Sequence, residues 1–584
     1  MKWDLTKIFK TKKDFEKMKE ELLKNLDKIE SYQGKLCDSA NNLYNCYKID
    51  EIALEQYEKL YSYGMLNYHL DMSNQENIKL FKEVENLGAI FSTKVSFISP
   101  EITYADENKI RGFIENSKEL LPYKRDILDI LDKKKHTLDK TSENILSNYD
   151  EVFGAPENTF DILTNAEFKF GKIVDEEGKK VELTESNYSI YMKSQKEEVR
   201  KQAFKQMYLK YSEFINTITE LYLTNVKTST ITARLRNYTS SLERAVINDD
   251  ASVKVYDSLL NSINKNIKVN HEFIDLKKKL LNKDKLYMYD LYVNPFEEEK
   301  DEISFEEAKK EVLDALDILG EEYKEMLNTS FRDNWIDLEA KPNKRGGAYS
   351  MGVYGVHPFV LTNFMNSKRD VSTIAHELGH AMHSYYSNSN QNIINANYTI
   401  MVAEVASTVN ELLLSNYQIK NEKDNKKKAM LIYELLEMIR ATFFRQSMFA
   451  EFEKEVHGKI ESLNFLSAED LNNIYYDLNK KYFGNNMEVN EEIKYEWARI
   501  PHFYSNFYVY KYATGISAAI CIVDNILKQG TTYVNRYIEM LKQGCSKKSI
   551  DLLKMVDVDL ESEFTYNNTI KFYKEKIEEL KNLI

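Results

Sequence analysis

The chain has 584 residues, 43% of them apolar and 30% charged, with a net charge of −13. This balance excludes a disordered chain and predicts a globular protein with two or more lobes. The excess of acid argues against nucleic acid as the main partner, because phosphate binding needs a basic surface.

Seven prolines and eighteen glycines punctuate a sequence rich in Leu, Glu, Lys and Ile, which predicts a mainly α fold. Four cysteines (Cys37, Cys46, Cys521 and Cys545) form no C-x-x-C pair and are too few for a disulfide framework. Reduced thiols in the cytoplasm are therefore expected. The opening stretch "MKWDLTKIFKTKKDFEKMKEELL" lacks the apolar core of a signal peptide. The most apolar run, Ile516–Val523, is too short to span a bilayer, so no membrane partner is expected.

From Asp14 to about Lys140, apolar residues recur at three- and four-residue spacing, as in "FEKMKEELLKNLDKI", and predict amphipathic helices packed side by side. From Phe168, "FKFGKIVDEEGKKVELTE" reads as a β-hairpin around a "DEEGKK" turn. A long helical series then begins, and a lobe boundary is placed near residue 190. The charged runs Phe296–Glu302 and Lys420–Ala429 read as solvated turns. Between them, "KRGGAYSMGVYGVHPFVLTNF" (Lys344–Phe364) interrupts the helices with four glycines among aromatic and β-branched residues. It predicts two short strands, or one strand with a glycine kink, beside whatever the next helix carries.

That helix holds "VSTIAHELGHAMHSYY". His376 and His380 stand four apart, about 400° on an α-helix, so both imidazoles share one face. Two imidazoles so placed can converge on one zinc ion, and Glu377, rotated about 100°, can reach a water on its open side. Asp370 and Ser372 suit the start of this helix. A third ligand is required. His383 shares the face, but seven residues span roughly 10 Å along a helix, too far for one zinc. His383 is better placed beside the metal site, lining the substrate cleft or packed as a hydrogen-bonded histidine. An extended motif with a third histidine at residue 386 is excluded, because Tyr386 stands there. A following apolar helix, "YTIMVAEVASTVNELLLSNY", carries one early acid, Glu404, 28 residues after His376. Burying that carboxylate unpaired is costly, and metal ligation removes the cost. Thr408 and Glu411 share its face, and Glu411 either orients a ligand or is a surface acid.

The combination of "HELGHAMHSYYS" with "AEVASTVNELLL" resembles the M3 family of zinc metallopeptidases, and within it the oligoendopeptidase F branch. Further stretches agree, among them "NYSIYMKSQKEEVRKQAF", "ARLRNYTSSLERAV", "GAYSMGVYGVHPFVLTNF", "RQSMFAEFEKEVH" and "IPHFYSNFYVYKYATGISAA". The likeness runs from about Asn148 to Ala519. The resemblance implies an α-rich, two-lobed zincin-type metallopeptidase with a deep substrate channel and a small β-element next to the active-site helix. It implies an N-terminal helical lobe over 1–190 and a catalytic domain over 191–584. It also implies one zinc ion per chain, bound by His376, His380 and Glu404, with Glu377 activating water to cleave short peptides internally.

The stretch "HFYSNFYVYKY" resembles the family segment that closes over substrate, which nominates His502, Tyr504, Tyr508 and Tyr510. A phenol or imidazole there can donate to the oxyanion of an attacked peptide carbonyl. Tyr504, Tyr508 and Tyr512 stand four apart, so one stripe of a helix in this stretch is expected to face inward. The strand around Ala348–Val356, with Ala348 and Tyr349 as its nominated contacts, is expected to take the peptide backbone by strand addition. Two rivals stand beside this reading. A carboxypeptidase of similar build would use Arg345 or Arg499 to hold a terminal carboxylate. A non-catalytic helical binding protein with a relic site would have no need of Glu377.

Overall fold

The computed structural model describes residues 1–296 and 302–584. Of the charged run at Phe296–Glu302, residues 297–301 lie outside the described residues. The chain forms two compact units, each assembled from separated segments.

One unit comprises the described parts of Met1–Thr137, Asp301–Lys420 and Ala519–Val558. Its N-terminal helices α1 (Lys12–Glu30), α2 (Ala40–Leu70) and α3 (Gln75–Val95) follow the expected amphipathic pattern. Thr11 and Asp14 close a capping box that starts α1, and Phe15, Leu22, Leu26 and Ile29 form its buried stripe. Helices α2 and α3 pack tightly at Gly64, where a Cβ would stand 2.6 Å from a Val84 methyl.

The same unit holds a three-stranded sheet of β1 (Ile336–Glu339), β2 (Tyr349–Met351) and β3 (Phe359–Phe364), in the order β1-β3-β2. Lys344–Phe364 thus forms the two short strands that its glycines predict. Strand β3 lies parallel to β1 and antiparallel to β2, with Tyr349 opposite Leu361 and Met351 opposite Phe359. The outer side of β1 is covered: Leu338 N–H donates to Met1 O at 3.3 Å, and the Trp3 indole donates to Trp335 O and Val360 O. Among the described residues no strand pairs with the outer side of β2.

The loop leading into β2 is tied down by Lys344. Its buried ammonium meets Asp337 Oδ1 at 2.6 Å and donates to the carbonyls of Glu339 and Thr362, each at 2.7 Å. With all three protons placed, a buried lysine is tolerable, and the strand that follows has a fixed starting point.

Helix α4 (Lys368–Asn390) follows the sheet, and α5 (Ile400–Asn421) follows α4. The start of α4 departs from expectation in one detail. Asp370 Oδ2 accepts from Ser367 N–H at 2.8 Å, so Ser367 is the N-cap and Ser372 lies inside the helix.

The other unit comprises the described parts of Leu138–Lys300, Asn421–Ala518 and Asp559–Ile584. It contains the predicted hairpin, in which Lys172–Val174 pairs antiparallel with Lys180–Glu182. A second, parallel pairing joins Leu286–Tyr287 to Met487–Glu488, and the regular structure around them is helical, including Ile215–Leu235, Arg445–Glu461, Ala468–Phe483 and Glu563–Lys581. The charged run Lys420–Ala429 is a turn only in part: Asp424 caps a helix over Asn425–Ile439. Among the described residues no disulfide joins the four cysteines, and no described helix is long and apolar enough to cross a membrane.

Candidate metal centre

Helix α4 presents His376 and His380 one turn apart, with Nε2 atoms 3.2 Å from each other. Glu404, near the start of α5, brings Oε2 to 3.6 Å from each of these nitrogens. Among the described residues this is the one cluster of three or more His, Cys, Asp or Glu that fits a metal ion. Four ligands at ~2.0–2.1 Å around a tetrahedral zinc lie about 3.3–3.4 Å from one another, so the observed triangle fits a zinc ion.

The backbone explains why α5 comes so near. A Cβ on Gly379 would stand 2.6 Å from Ser407 Cα and 2.7 Å from Ala406 O. Glycine there lets the two helices touch. Asn410 pins the contact by donating to Ala375 O at 3.1 Å while accepting from Tyr323 OH at 3.0 Å.

Glu411, two turns beyond Glu404, is not a free surface acid. Its Oε1 lies 3.4 Å from His376 Nδ1 and accepts from Ser372 Oγ at 3.3 Å. It fixes the ring so that Nε2 faces Glu404, the arrangement by which a carboxylate orients a metal-binding histidine. Burial disfavours the charged form of His376, but the hydrogen bond and charge of Glu411 outweigh it and raise its pKa. Burial lowers His380 to about 4, against the pull of Glu404. Glu377 is 7% exposed; burial pushes its carboxyl up to about 7, opposed by His376 and assisted by Glu404 and Glu411. A carboxyl poised there suits proton transfer near neutral pH.

His383 is buried beneath this face rather than in it. Its ring stacks on Tyr398 at 3.6 Å, and burial lowers its pKa to about 3. Tyr398 in turn bonds Ser384 Oγ at 2.7 Å. The end of β2 packs on the same helix: a Cβ on Gly352 would meet Ser384 Cβ at 2.8 Å. Tyr349, in β2, is half-buried, with its hydroxyl 2.8 Å from His69 Nδ1, and Ala348 just before it is likewise half-buried. Beyond β2, Tyr354 N–H donates to Glu58 of α2 at 2.7 Å. His69 and Glu58 escape a sequence reading because they lie some 280 and 296 residues from their partners. The one local signal is that both sit on α2, a helix whose apolar stripe alone gives them no role.

The remaining nominated residues belong to the other unit. There Pro501–Tyr504 is one 3₁₀ turn, and the next helix starts only at Tyr510. Tyr504, Tyr508 and Tyr512 therefore do not form one helical stripe. Tyr504 is buried and stacks on Phe160, and Tyr510 donates from the interior to Asp249 Oδ2 at 3.0 Å. His502 is exposed and Tyr508 half-buried, with ring centroids 5.9 Å apart. Tyr512 joins them, its hydroxyl 3.4 Å from His502 Nε2. Arg499, considered above for a terminal carboxylate, is engaged with Glu185 at 2.8 Å and lies over the Tyr188 ring.

Comparison with known proteins agrees with this geometry. The model of Peptidase family M3 matches residues 190–572, and that of Oligopeptidase F matches 101–170. The chain belongs to peptidase family M3. It is similar to oligopeptidase PepF of Bacillus subtilis, with 39% identity over 100% of this chain and 87% of the relative. An oligoendopeptidase F homolog of Borreliella burgdorferi shares 36% over 100% of this chain and 98% of its own. The crystal structure of oligoendopeptidase-F from Enterococcus faecium superimposes with a TM-score of 0.75 at 31% identity, covering 98% of this chain and 99% of that one. A Chlamydophila abortus structure reaches 0.93, also at 31% identity, covering 100% and 98%. Within M3 the chain falls in the oligoendopeptidase F branch and is a metallo-endopeptidase.

Proposed function

We propose that this enzyme is a zinc endopeptidase that hydrolyses internal bonds of short peptides, with Glu377 as general base. The observation that carries the reading is the triangle of His376 Nε2, His380 Nε2 and Glu404 Oε2, at 3.2–3.6 Å, with the buried Glu377 on the same helix. The relatives' own names, oligopeptidase and oligoendopeptidase, support a peptide substrate.

A zinc ion held by these ligands supplies Lewis acidity to the scissile carbonyl. Glu377 takes the proton of the attacking water and returns it to the leaving amine. Glu411 keeps His376 in the tautomer that points Nε2 at the metal. The outer side of β2, from Ala348 through Tyr349, offers backbone groups to an extended substrate, which gives binding with little regard to side chains. Of the residues nominated as oxyanion donors, His502 and Tyr508 are accessible within their own unit, whereas Tyr504 and Tyr510 are buried. His383 supports the helix beneath the ligands through its stack on Tyr398. The four cysteines, none joined in a disulfide, support a reducing cytoplasm as the working compartment.

Metal analysis tests the reading. Purified protein is expected to hold about one zinc per chain, and chelation should abolish activity. Glu404→Ala should lower zinc occupancy, while His383→Ala should largely retain it. The reverse order would give the third ligand to His383, and full activity in metal-free protein would end the metallopeptidase mechanism.

A further inference from the structure

Glu404 is the most exposed member of the triangle, at 38% against 27% for His376 and 18% for His380. It also stands only at the second turn of α5, which begins at Ile400. Helix ends fray, so a ligand placed there needs a hold that burial does not supply. Beyond Glu404, the close approach of Gly379 to Ser407 fixes how near α5 comes to α4. A backbone contact of that kind does not stop the helix from sliding or turning. The directed bond from Asn410 to Ala375 O lies on the same far side.

The near side is held by a loop from much later in the chain. Residues 542–549 follow the helix Thr531–Leu541 and pack into the connection between α4 and α5. Gly544 has φ +53°, and a Cβ there would stand 2.0 Å from Asn395 O and 2.6 Å from Ser387 Oγ. Only glycine lets this backbone enter between the end of α4 and the connection. The next residue, Cys545, donates its N–H to Asn395 O at 2.8 Å. Gln391 closes the contact from the other side, donating from Nε2 to Lys542 O at 2.8 Å. The Asn395 side chain is held as well, since its Nδ2 donates to Pro122 O at 2.7 Å.

Thr399 follows, and there α5 begins. Its carbonyl accepts from the N–H groups of Val402 and Ala403 at 3.1 and 3.0 Å. Its Oγ1 lies 2.6 Å from Ser549 Oγ, and Ser549 is 1% exposed. A hydrogen bond is directional, so this pair sets both the height and the rotation of the helix it starts. Glu404 stands five residues on, about 7.5 Å along a stiff α-helix, and a displacement at Thr399 reaches it nearly undiminished. A metal site holds its ligand distances to within about 0.2 Å, which makes such a displacement costly. All of these residues belong to the unit that carries the triangle.

We propose that the loop 544–549 positions the third metal ligand: through Asn395 and Thr399 it fixes the register of α5 and so holds Glu404 against His376 and His380. Gly544 and Ser549 are its positioning residues, and both act through α5. The proposal rests on the reading that Glu404 binds the metal.

The test is competition for zinc between a chelating dye and the zinc-loaded full chain, read as affinity. Wild type is compared with Ser549→Ala, Thr399→Val, Thr399→Ser, Glu404→Ala and Ser549→Ala/Glu404→Ala. Ser549→Ala and Thr399→Val each remove the hydroxyl pair and should weaken zinc binding roughly tenfold or more. Thr399→Ser keeps the hydroxyl and should stay close to wild type. In the Glu404→Ala background, Ser549→Ala should cost almost nothing further, because its effect runs through that ligand. The visible spectrum of the cobalt-loaded protein gives a second readout. It should shift in Ser549→Ala in the same direction as in Glu404→Ala, a change that lost stability alone does not produce. Unchanged affinity in Ser549→Ala and Thr399→Val, beside a weakened Glu404→Ala, overturns the positioning role alone. A loss in Ser549→Ala that persists in full without Glu404 overturns it too, since the loop would then act on the histidines or the whole fold. An unaffected Glu404→Ala sinks the proposal together with the reading of the third ligand. Should Ser549→Ala fail to fold, Thr399→Val, at a half-buried position, decides in its place, alone and combined with Glu404→Ala.

Discussion

Gly379 and Ser407 meet backbone to backbone, closely enough that a Cβ on the glycine would stand 2.6 Å from Ser407 Cα. The contact lies one residue from His380 and three from Glu404, so it sets the distance between the two helices that carry these side chains. The glycine inside the HELGH sequence is therefore the spacer that lets Glu404 approach the two histidines.

Replacing that spacer should separate the ligands. In Gly379→Ala the obstructing atoms are backbone, which cannot rotate away, so α4 and α5 must move apart. An overpacking cost of about 1–3 kcal/mol is expected, together with lower zinc affinity. Isothermal titration with zinc and thermal unfolding of the metal-free protein measure the two effects separately. Unchanged affinity in this variant would show that Glu404 reaches the metal without the close approach.

The Glu411–His376 contact gives a second expectation. Glu411→Gln removes the charge that orients the imidazole while leaving all three ligands in place. Zinc affinity should fall roughly 10–100-fold, measured by competition with a chelator. An affinity equal to that of wild type would return Glu411 to the status of a partly exposed acid with no part in the site.

Much of this site is legible in the sequence, and the limits of that reading are physical. The 3.6-residue period places His376 and His380 together without further information, whereas Glu404, singled out in the sequence by the cost of burying a lone carboxylate, stands beside them with a side chain 38% exposed. The glycine-rich stretch announces β2 and β3 because glycine and β-branched residues suit neither helix nor long loop. The partners of Glu411 are not legible, because choosing between a site and a surface requires knowing that α5 lies against α4. The tyrosine stretch misleads for a related reason. Its four-residue spacing suggests one helix, but Phe507 turns the chain at φ +58°, held by Glu453 and Asn225, 54 and about 280 residues away. No local signal marks a left-handed phenylalanine. The two compact units are hidden in the same way, since each is assembled from separated segments.

A third expectation concerns stability. Glu496 is buried and accepts from Arg445 at 2.9 Å, Tyr475 at 2.5 Å and Tyr208 at 3.3 Å. Burial alone would raise its pKa, but Arg445 and the Tyr475 hydroxyl outweigh that and hold it below the ordinary 4.5. Glu496→Gln leaves the Arg445 charge without its counter-charge and should cost about 3–5 kcal/mol near neutral pH. Because the folded pKa is depressed, this stabilisation is present above the unfolded value and is lost as pH falls through the folded one. Denaturant unfolding of both proteins should therefore show a constant difference from pH 6 to 8 that shrinks below about pH 4.5. A difference that grows on acidification would mean that Glu496 is protonated in the native state.

The central claim, internal peptide cleavage by a zinc site with Glu377 as base, is tested most directly by one digest. An acetylated, amidated peptide of ten to twenty residues is incubated with wild type and with Glu377→Gln, each carrying measured and equal zinc, and fragments are followed by mass spectrometry. The account predicts internal fragments from the wild type and a turnover lower by about 10²–10⁴ in the variant. Near-wild-type turnover by Glu377→Gln, or release of single terminal residues only, would contradict it.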